Sequence, residues 1–218
     1  MLIKKIFYKL TNQKKYEQLK KDLAINKKIE IFKLGFEQEV LKIQKLIKNQ
    51  KEISFLHSGH LGDVVNALPI IKELSKTHKC NFYLQANKPL EKHVIGYKHP
   101  KDLIYMSDKM VDMILPLLKC QQYIKKVEKY NNQKIDVNFD LFRKMPMDFN
   151  LDEVRWYFHL TGIHTNLATP YLHVEPSKTI QKKIVIMRST RRKNLLINYR
   201  FMSKYKDLLF IGLLQEYE

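Results

Sequence analysis

The sequence predicts an α/β protein with a parallel, doubly wound sheet. Short apolar runs, such as residues 53–57 and 80–86, alternate with longer stretches of helical periodicity. This strand–helix–strand rhythm is typical of parallel sheets, whose strands are joined by helical crossovers. A glycine turn follows the first apolar run directly, and a helical pattern begins at once behind it. Such a turn brings the free N–H groups of a helix N-terminus to the edge of a sheet.

Residues 1–50 are predicted to form a basic helical extension of two or three amphipathic helices. Apolar residues recur there at spacings of mostly three or four, with interruptions near Thr11 and Gly35, and 13 lysines accompany 5 acidic residues. We expect these helices to pack on the main domain with their lysines in solvent. The alternative is a basic amphipathic surface that lies on anionic lipid.

Residues 51–176 are predicted to form the main domain and a linker. The expected elements are strand 53–57, helix 62–76, strand 80–86, a short strand near 103–105, a helical stretch 107–130 broken at Pro116, strand 134–140 and a helix near 151–161. The three aromatic residues 156–158 of the last helix are expected in the core. Pro170 and Pro176 bracket an extended segment, which is typical of a linker between domains.

Composition narrows the class of protein. A hydrophobic content of 44% suffices for a folded core, and no apolar run reaches the length of a transmembrane helix. Cys80 and Cys120 lack a Cys-x-x-Cys spacing, so we expect reduced thiols in a cytoplasmic protein. The net charge of +18 comes from 34 lysines and 6 arginines against 22 acidic residues. This excess favours anionic partners such as nucleotide-sugars, acidic glycolipids, membrane surfaces or nucleic acids.

The turn after the first strand carries the main functional signal. Gly59 and Gly62 lie in this turn, and Asp63 follows them at the start of the helix. A helix N-terminus favours anionic ligands, whereas a carboxylate there would not help to bind a phosphate, so Asp63 is a candidate general base. The structural alternative is that Asp63 caps the helix. The dinucleotide fingerprint is absent, because His60 and Val65 stand where it requires glycine.

The segment Leu61–Pro69 reads Leu-Gly-Asp-Val-Val-Asn-Ala-Leu-Pro and resembles the N-terminal signature of glycosyltransferase family 9, the lipopolysaccharide heptosyltransferase family. The resemblance implies a GT-B fold, in which the active site lies in the cleft between two Rossmann-like domains. Residues 53–160 would belong to the acceptor domain and residues 182–218 to the start of the donor domain. Asp63 would deprotonate the acceptor hydroxyl, with His60 and Gly62 on the acceptor side. Neither a metal nor a cofactor is implied.

Residues 177–218 are predicted to be an incomplete nucleotide-sugar domain with strand 183–187, a basic loop, a helix near 198–205 and strand 207–211. Ten Lys or Arg and no acidic residue lie between Ser177 and Lys206. Ligands of open α/β sheets bind at strand ends, and Arg can bind phosphate with two hydrogen bonds. One strand–helix–strand unit is too small to bury a core. We therefore expect that the chain is truncated within the donor domain or that it borrows a partner. A truncated chain should bind the donor weakly and turn over little.

The loop after strand 183–187 is the predicted donor site. In family 9 the corresponding loop contacts the donor, and the resemblance therefore places Thr190, Arg191 and Lys193 at the diphosphate of the nucleotide-sugar. The hydroxyl of Ser189 is a further candidate hydrogen-bond donor to this diphosphate. The Trp-Pro pair that follows in heptosyltransferases is replaced by Leu195-Leu196, which leaves the donor sugar open. The alternative for this loop is a solvated basic segment.

Strand 134–140 ends at Asp140, with Arg143 close behind it. A similar strand of family 9 ends in an Asp that faces the acceptor, so the resemblance implies that Asp140 and Arg143 orient the acceptor. A structural ion pair or loop cap is the alternative. His57, His60 and Asp63 also recur at steps of three, but a short His-x-x-His in a turn is weak evidence of a metal, and we predict none.

Together these features predict a glycosyltransferase that moves a sugar from a nucleotide-sugar to a hydroxyl of a cell-surface glycan or lipopolysaccharide-type acceptor. Its expected partners are the nucleotide-sugar, the glycan or glycolipid, and an anionic membrane in peripheral contact at the inner face of the cell membrane. The alternative is a non-catalytic basic α/β protein that binds nucleic acid or anionic membrane through residues 1–50 and 178–206. No helix-turn-helix, zinc-finger or RNP pattern indicates a specific nucleic-acid partner.

Overall fold

A computed structural model of the chain describes residues 2–31, 35–90, 104–145, 153–175, 184–187 and 197–212. The chain divides into two compact units, Met1–His173 and Val174–Glu218. The first unit contains a four-stranded parallel sheet with helices, and the second contains a two-stranded parallel sheet. The predicted α/β class with a parallel, Rossmann-like sheet is therefore confirmed.

The central sheet consists of β1 (Glu52–His57), β2 (Lys79–Leu84), β3 (Lys126–Lys129) and β4 (Val137–Asn138). Their order across the sheet is β3-β2-β1-β4, and all three neighbouring pairs are parallel. This order matches the first four strands of a doubly wound nucleotide-binding sheet. The chain adds β2 and β3 on one side of β1 and then returns to add β4 on the other. The topological switch point of the sheet therefore lies between β1 and β4.

The described residues include six α-helices: α1 (Leu2–Thr11), α2 (Gln13–Ile31), α3 (Glu37–Asn49), α4 (Leu61–Ser75), α5 (Asp108–Lys119) and α6 (Val154–Thr161). The apolar face of α4 is buried in the core, as the helical spacing of its apolar residues predicts. At the C-terminus of α6, Gly162 adopts the left-handed conformation with a φ of 70° that favours glycine. The core thus lies between the sheet and helices α3, α4, α5 and α6.

The helical stretch predicted over 107–130 is wrong in its second half. Helix α5 ends at Lys119, in the turn that follows Pro116, and residues 126–129 form β3 instead. Only Val127 of this charged segment is buried, and its backbone pairs in parallel with β2. Backbone pairing with the edge of β2 thus determines the conformation of this segment, although its own residues are poor strand formers.

The strand predicted over 134–140 is also shorter than expected. Only Val137 and Asn138 pair with β1, and a 3₁₀ helix, Phe139–Lys144, follows at once. The Asn138 side chain accepts a hydrogen bond from the Asp140 N–H at 2.9 Å, which starts this helix. Because the segment coils here, Asp140 and Arg143 lie three positions apart on one short helix rather than at the end of a straight strand.

The N-terminal helices have the predicted interruptions near Thr11 and Gly35, but their packing differs from the expectation. Helix α3 buries Val40, Ile43 and Ile47 in the core. In contrast, none of the side chains described in α1 and α2 is buried. The expectation that the extension packs on the main domain is therefore confirmed for α3, whereas α1 and α2 contribute no buried side chain among their described residues. Among the described helices, none is long and apolar enough to cross a membrane.

The second unit contains β5 (Ile184–Met187) and β6 (Leu208–Ile211), which pair in parallel as predicted. The helix predicted near 198–205 is a 3₁₀ helix over Tyr199–Lys204. The Asn198 side chain accepts a hydrogen bond from the Arg200 N–H at 3.0 Å at its start. The predicted strands of this unit are confirmed, and its predicted helix is present as a 3₁₀ helix.

Candidate functional site

A cluster of charged side chains lies at the carboxyl ends of β1 and β4. Strand β1 leads into the turn Ser58–His60 before α4, and β4 leads into the 3₁₀ helix that carries Asp140 and Arg143. Because β1 and β4 are neighbouring parallel strands, these two segments emerge side by side at the topological switch point. Ligands of open α/β sheets bind in the crevice at this position.

Arg143 connects two carboxylates within this cluster. Its Nη2 donates to Asp63 Oδ2 at 2.7 Å, and its Nη1 donates to Asp140 Oδ1 at 2.9 Å. The side chains of Arg143, Asp63 and Asp140 are 8%, 18% and 4% exposed, respectively. The guanidinium group also lies 4.4 Å from the centre of the Tyr105 ring and 4.5 Å from that of Phe142. Close contacts with two aromatic rings and two charged hydrogen bonds thus fix the orientation of Arg143.

Asp140 is the most enclosed charge of the cluster. The Ser58 N–H donates to its Oδ1 at 2.9 Å, and the Ser58 hydroxyl and the Lys88 ammonium group, the latter at 2.9 Å, donate to its Oδ2. Burial opposes ionisation of Asp140, but the nearby Arg143 and Lys88 cations and the Ser58 hydrogen bond hold its pKa well below the usual value. Asp140 therefore remains a carboxylate that anchors Arg143.

The charges around Arg143 favour its cationic form. Burial alone would lower its pKa, but the carboxylates of Asp140 and Asp63 raise it above the usual value. The cluster thus contains two carboxylates, Asp63 and Asp140, and two cations, Arg143 and Lys88. Its charges are balanced, which is the condition under which buried charges are tolerated.

His57, the last residue of β1, links the cluster to α6 as a neutral ring. The Gly59 N–H donates to His57 Nδ1 at 2.8 Å, so the proton of the ring resides on Nε2. Nε2 then donates to the Tyr157 hydroxyl at 2.8 Å, and this hydroxyl donates to the Asp63 carbonyl at 3.1 Å. Burial lowers the pKa of His57 to about 4. The 3.5 Å approach of Nδ1 to Asp140 is consequently a contact between two acceptors and not an ion pair.

Gly59 lies beneath the ion pair of Arg143 and Asp63. A Cβ atom at this position would collide with Arg143 Nη2 and would lie 2.6 Å from His57 Cε1 and 2.7 Å from Asp63 Oδ2. The second glycine of the turn differs, because a Cβ on Gly62 would meet no heavy atom within 4 Å. The ion pair of Arg143 and Asp63 therefore requires glycine at position 59 but not at position 62.

Asp63 is the third residue of α4, and the capping residue of this helix is His60. The interpretation of Asp63 as the N-cap itself is therefore wrong. Its Oδ2 accepts the backbone N–H of His60 at 3.3 Å, as a residue at the third helical position does in a capping box. The His60 ring packs edge-to-face on Tyr105, with ring centres 5.7 Å apart. Asp63 thus stabilises the start of α4 and also pairs with Arg143.

The structure brings together four of the predicted site residues: Asp63, His60, Asp140 and Arg143. Gly62 lies in the first turn of α4 beside them. The assignments of His60, Gly62, Asp140 and Arg143 to acceptor binding and of Asp63 to catalysis stay predictions. The predicted donor residues Ser189, Thr190, Arg191 and Lys193 lie outside the described residues.

Four residues of the network around the cluster were not predicted from the sequence as site residues: His57, Ser58, Lys88 and Tyr157. Ser58 and Lys88 follow the ends of β1 and β2, and the rule that ligands bind at strand ends would have indicated both. Tyr157 was expected in the core; it is fully buried, but its hydroxyl connects His57 to Asp63. Trp156 and Phe158 are only partly buried beside it.

The described part of the chain contains no group of three His, Cys, Asp or Glu residues that could hold a metal ion. The two ring nitrogens of His57 already have hydrogen-bond partners in Gly59 and Tyr157. Cys80 is buried and Cys120 is exposed, and both are free thiols. Burial raises the pKa of Cys80 to about 12, so this thiol is not a nucleophile.

Comparison of the chain with protein-family models, with curated protein sequences and with solved structures finds no match. The features that bear on function are therefore the short sequence segment Leu61–Pro69 and the position and chemistry of the charged cluster. The cluster joins residues from two strand ends and a helix N-terminus, which are the usual locations of ligand sites in this fold class.

Proposed function

We propose that this chain carries the acceptor side of a GT-B glycosyltransferase, which transfers a sugar from a nucleotide-sugar to a hydroxyl of a cell-surface glycan or lipopolysaccharide-type acceptor. The observation that carries this proposal is the position of the Asp63 carboxylate, which lies partly exposed at the topological switch point and pairs with Arg143. The resemblance of Leu61–Pro69 to the family 9 signature supports it, because the Asp of that signature is the acceptor base.

The energetics of the cluster favour a functional role over a purely structural one. Burying a carboxylate or a guanidinium costs several kcal/mol per ion, and apolar residues of similar volume often give equal or greater stability. A protein that needed only a stable core would gain little from two carboxylates and two cations at this edge of the sheet. Charged side chains with strongly shifted pKa values, such as Asp140, are typical of functional sites.

The proposed chemistry uses the two oxygens of Asp63 differently. Among the described residues, the contacts of this carboxylate with Arg143 and His60 all involve Oδ2. We assign Oδ1 as the atom that takes the proton of the acceptor hydroxyl. The hydroxyl oxygen then bonds to the anomeric carbon of the donor sugar. The bond between that carbon and the diphosphate breaks, and its electron pair leaves with the nucleoside diphosphate.

The neighbouring residues position this base and the acceptor. Arg143 fixes the plane of the Asp63 carboxylate, and Asp140 fixes Arg143 in turn. His60 and Lys88 are partly exposed at the rim of the cluster, where they would contact acceptor hydroxyls. We assign Arg143 and Asp140 as positioning residues, because their side chains are nearly enclosed.

The donor side of the proposal depends on the resemblance to family 9. Ser189, Thr190, Arg191 and Lys193 would bind the diphosphate through hydroxyl and cationic donors and would stabilise the charge that develops on the leaving group. The parallel pairing of β5 and β6 is consistent with the start of a second α/β unit. No metal or cofactor takes part in the proposed step.

An acceptor-dependent release assay tests this function. The full-length gene product is incubated with a panel of nucleotide-sugars, with and without a glycolipid and lipopolysaccharide extract, and the released nucleoside diphosphate is measured. We expect one donor to give release that requires the extract and that saturates with donor concentration. If none of the donors gives release, and if the protein instead binds RNA with an affinity that falls steeply with salt concentration, the non-catalytic alternative would be supported.

A further inference from the structure

Helix α1 presents an exposed apolar stripe. Four large apolar residues follow one another at helical spacings of three, one and three, so they share a face. Their exposed fractions are 84% for Ile3, 51% for Ile6, 59% for Phe7 and 80% for Leu10. These side chains are therefore in solvent along the full length of the helix, although they are the residue types most often buried in proteins.

The stripe is flanked by positive charge alone. The lysines of this region are Lys4, Lys5, Lys9, Lys14 and Lys15, and the first acidic residue of the chain is Glu17. Lys4 and Lys15 both lie 5.8 Å from the centre of the Tyr8 ring, on the polar side of the helix. Lysines beside an apolar face can extend their ammonium groups to lipid phosphates while their methylene stems stay near the apolar layer.

We propose that α1 lies flat on a membrane surface that contains anionic lipid. An apolar stripe bordered by lysines is the arrangement of helices that bury one face at the boundary of headgroups and acyl chains. The ten residues of α1 span about 15 Å, which is too short to cross the hydrocarbon core and sufficient to lie in its surface. The stripe inserts below the headgroups, and the lysines contact the lipid phosphates.

The charge of α1 favours an anionic membrane over a second copy of the chain or a nucleic acid as the partner of the apolar stripe. A second copy of α1 packed against the stripe would bring two sets of lysines together without a compensating carboxylate before Glu17. A nucleic acid would attract the lysines but would leave Ile3, Ile6, Phe7 and Leu10 in water. Only a surface that is both anionic and apolar satisfies both features of the helix.

This proposal rests on α1 and not on the proposed sugar transfer, so the two can fail separately. The test is co-sedimentation of the full chain with vesicles of phosphatidylcholine alone and of phosphatidylcholine mixed with phosphatidylglycerol, without donor or acceptor. We expect binding to the mixed vesicles. The double variant Ile6→Ser/Phe7→Ser should bind at least about tenfold more weakly, because two apolar side chains no longer insert.

Matched controls remove exposed apolar side chains from other helices. Leu41→Ser in α3 and Met113→Ser in α5 change residues that are 51% and 63% exposed, and both variants should bind vesicles like the native chain. Asp63→Asn should also bind like the native chain, since Asp63 lies outside α1. Equal binding of native protein and double variant would overturn the proposal and would indicate a purely electrostatic contact. A dimer that the double variant dissociates, with no vesicle binding, would overturn it in favour of a second copy.

Discussion

Arg143 and Asp63 are 80 positions apart in the chain, yet Nη2 of the first and Oδ2 of the second lie 2.7 Å apart at the edge of the central sheet. Neither residue belongs to a strand. Asp63 follows β1 through the turn at Gly59, and Arg143 follows β4 through the 3₁₀ helix. Their ion pair therefore joins the two segments that leave the topological switch point, and its integrity can be tested by several independent changes.

Substitution Arg143→Met should destabilise the fold strongly. It leaves Asp140 and Asp63 without their shared cation in a largely enclosed site, and breaking one side of a buried pair costs about 3–5 kcal/mol. The free energy of unfolding, measured with urea, should fall by this amount. The matched control is Lys125→Met, which breaks an exposed pair with Glu52 and should leave stability nearly unchanged. A similar loss of unfolding free energy in both variants would show that the enclosed Arg143 pairs contribute no more to stability than an exposed ion pair.

The two glycines of the β1–α4 turn should respond to alanine in opposite ways. Gly59→Ala places a Cβ atom against Arg143 and Asp63, so the ion pair must separate and stability should fall. Gly62→Ala adds a methyl group in open space on a helix and should raise stability by up to about 1 kcal/mol. The unfolding free energies of the two variants, measured with urea, test both expectations. A stable Gly59→Ala protein with its ion pair intact would contradict the geometry.

The stability of the protein should fall in mildly acidic solution because of His57. Its pKa is about 4 in the folded chain, below its ordinary value of 6.5, so the unfolded state takes up the proton first. Above pH 6.5 the free energy of unfolding is not reduced by His57. As the pH falls from 6.5 toward about 4, protonation of His57 in the unfolded state lowers the free energy of unfolding by up to about 3 kcal/mol. Asp140, whose pKa is also depressed, adds a separate loss below about pH 4.

Unfolding free energies of native protein and His57→Gln, measured between pH 7 and pH 4, test this dependence. The variant has no imidazole to protonate, so its curve should be flatter over the same interval. An NMR titration of the native protein gives a direct check, because the His57 ring should keep its neutral chemical shift down to about pH 5. Titration of this ring near pH 6.5 would contradict a buried neutral histidine.

Local sequence patterns predict the strands and helices that are rich in apolar residues. The run Glu52–His57 and the helical spacing along α4 indicate their elements without knowledge of the fold. Strand β3 could not be predicted in this way, because only Val127 among its four residues is apolar. Its short length and its two lysines are typical of an edge strand, and its backbone pairing with β2 determines its conformation.

The candidate site shows the same division between local and long-range information. The glycine turn and Asp63 are visible in the sequence, because they lie together between a strand and a helix. The pairing of Asp63 with Arg143 depends on the parallel register of β1 and β4, in which Phe55 lies opposite Val137. The hydroxyl of Tyr157 reaches the site only through the packing of α6. These contacts join distant segments, and no local pattern contains them.

The role of Asp63 as the general base is tested by the sugar-transfer rate of the Asp63→Asn variant. This rate is measured with the full-length gene product at saturating donor, beside Asp112→Asn, the same chemical change at an exposed residue of α5. Loss of the general base should lower the rate of Asp63→Asn by about 10²–10⁴-fold, while donor affinity and the rate of Asp112→Asn stay near native values. A folded Asp63→Asn protein that transfers sugar at a near-native rate would contradict the assignment of Asp63 as the base.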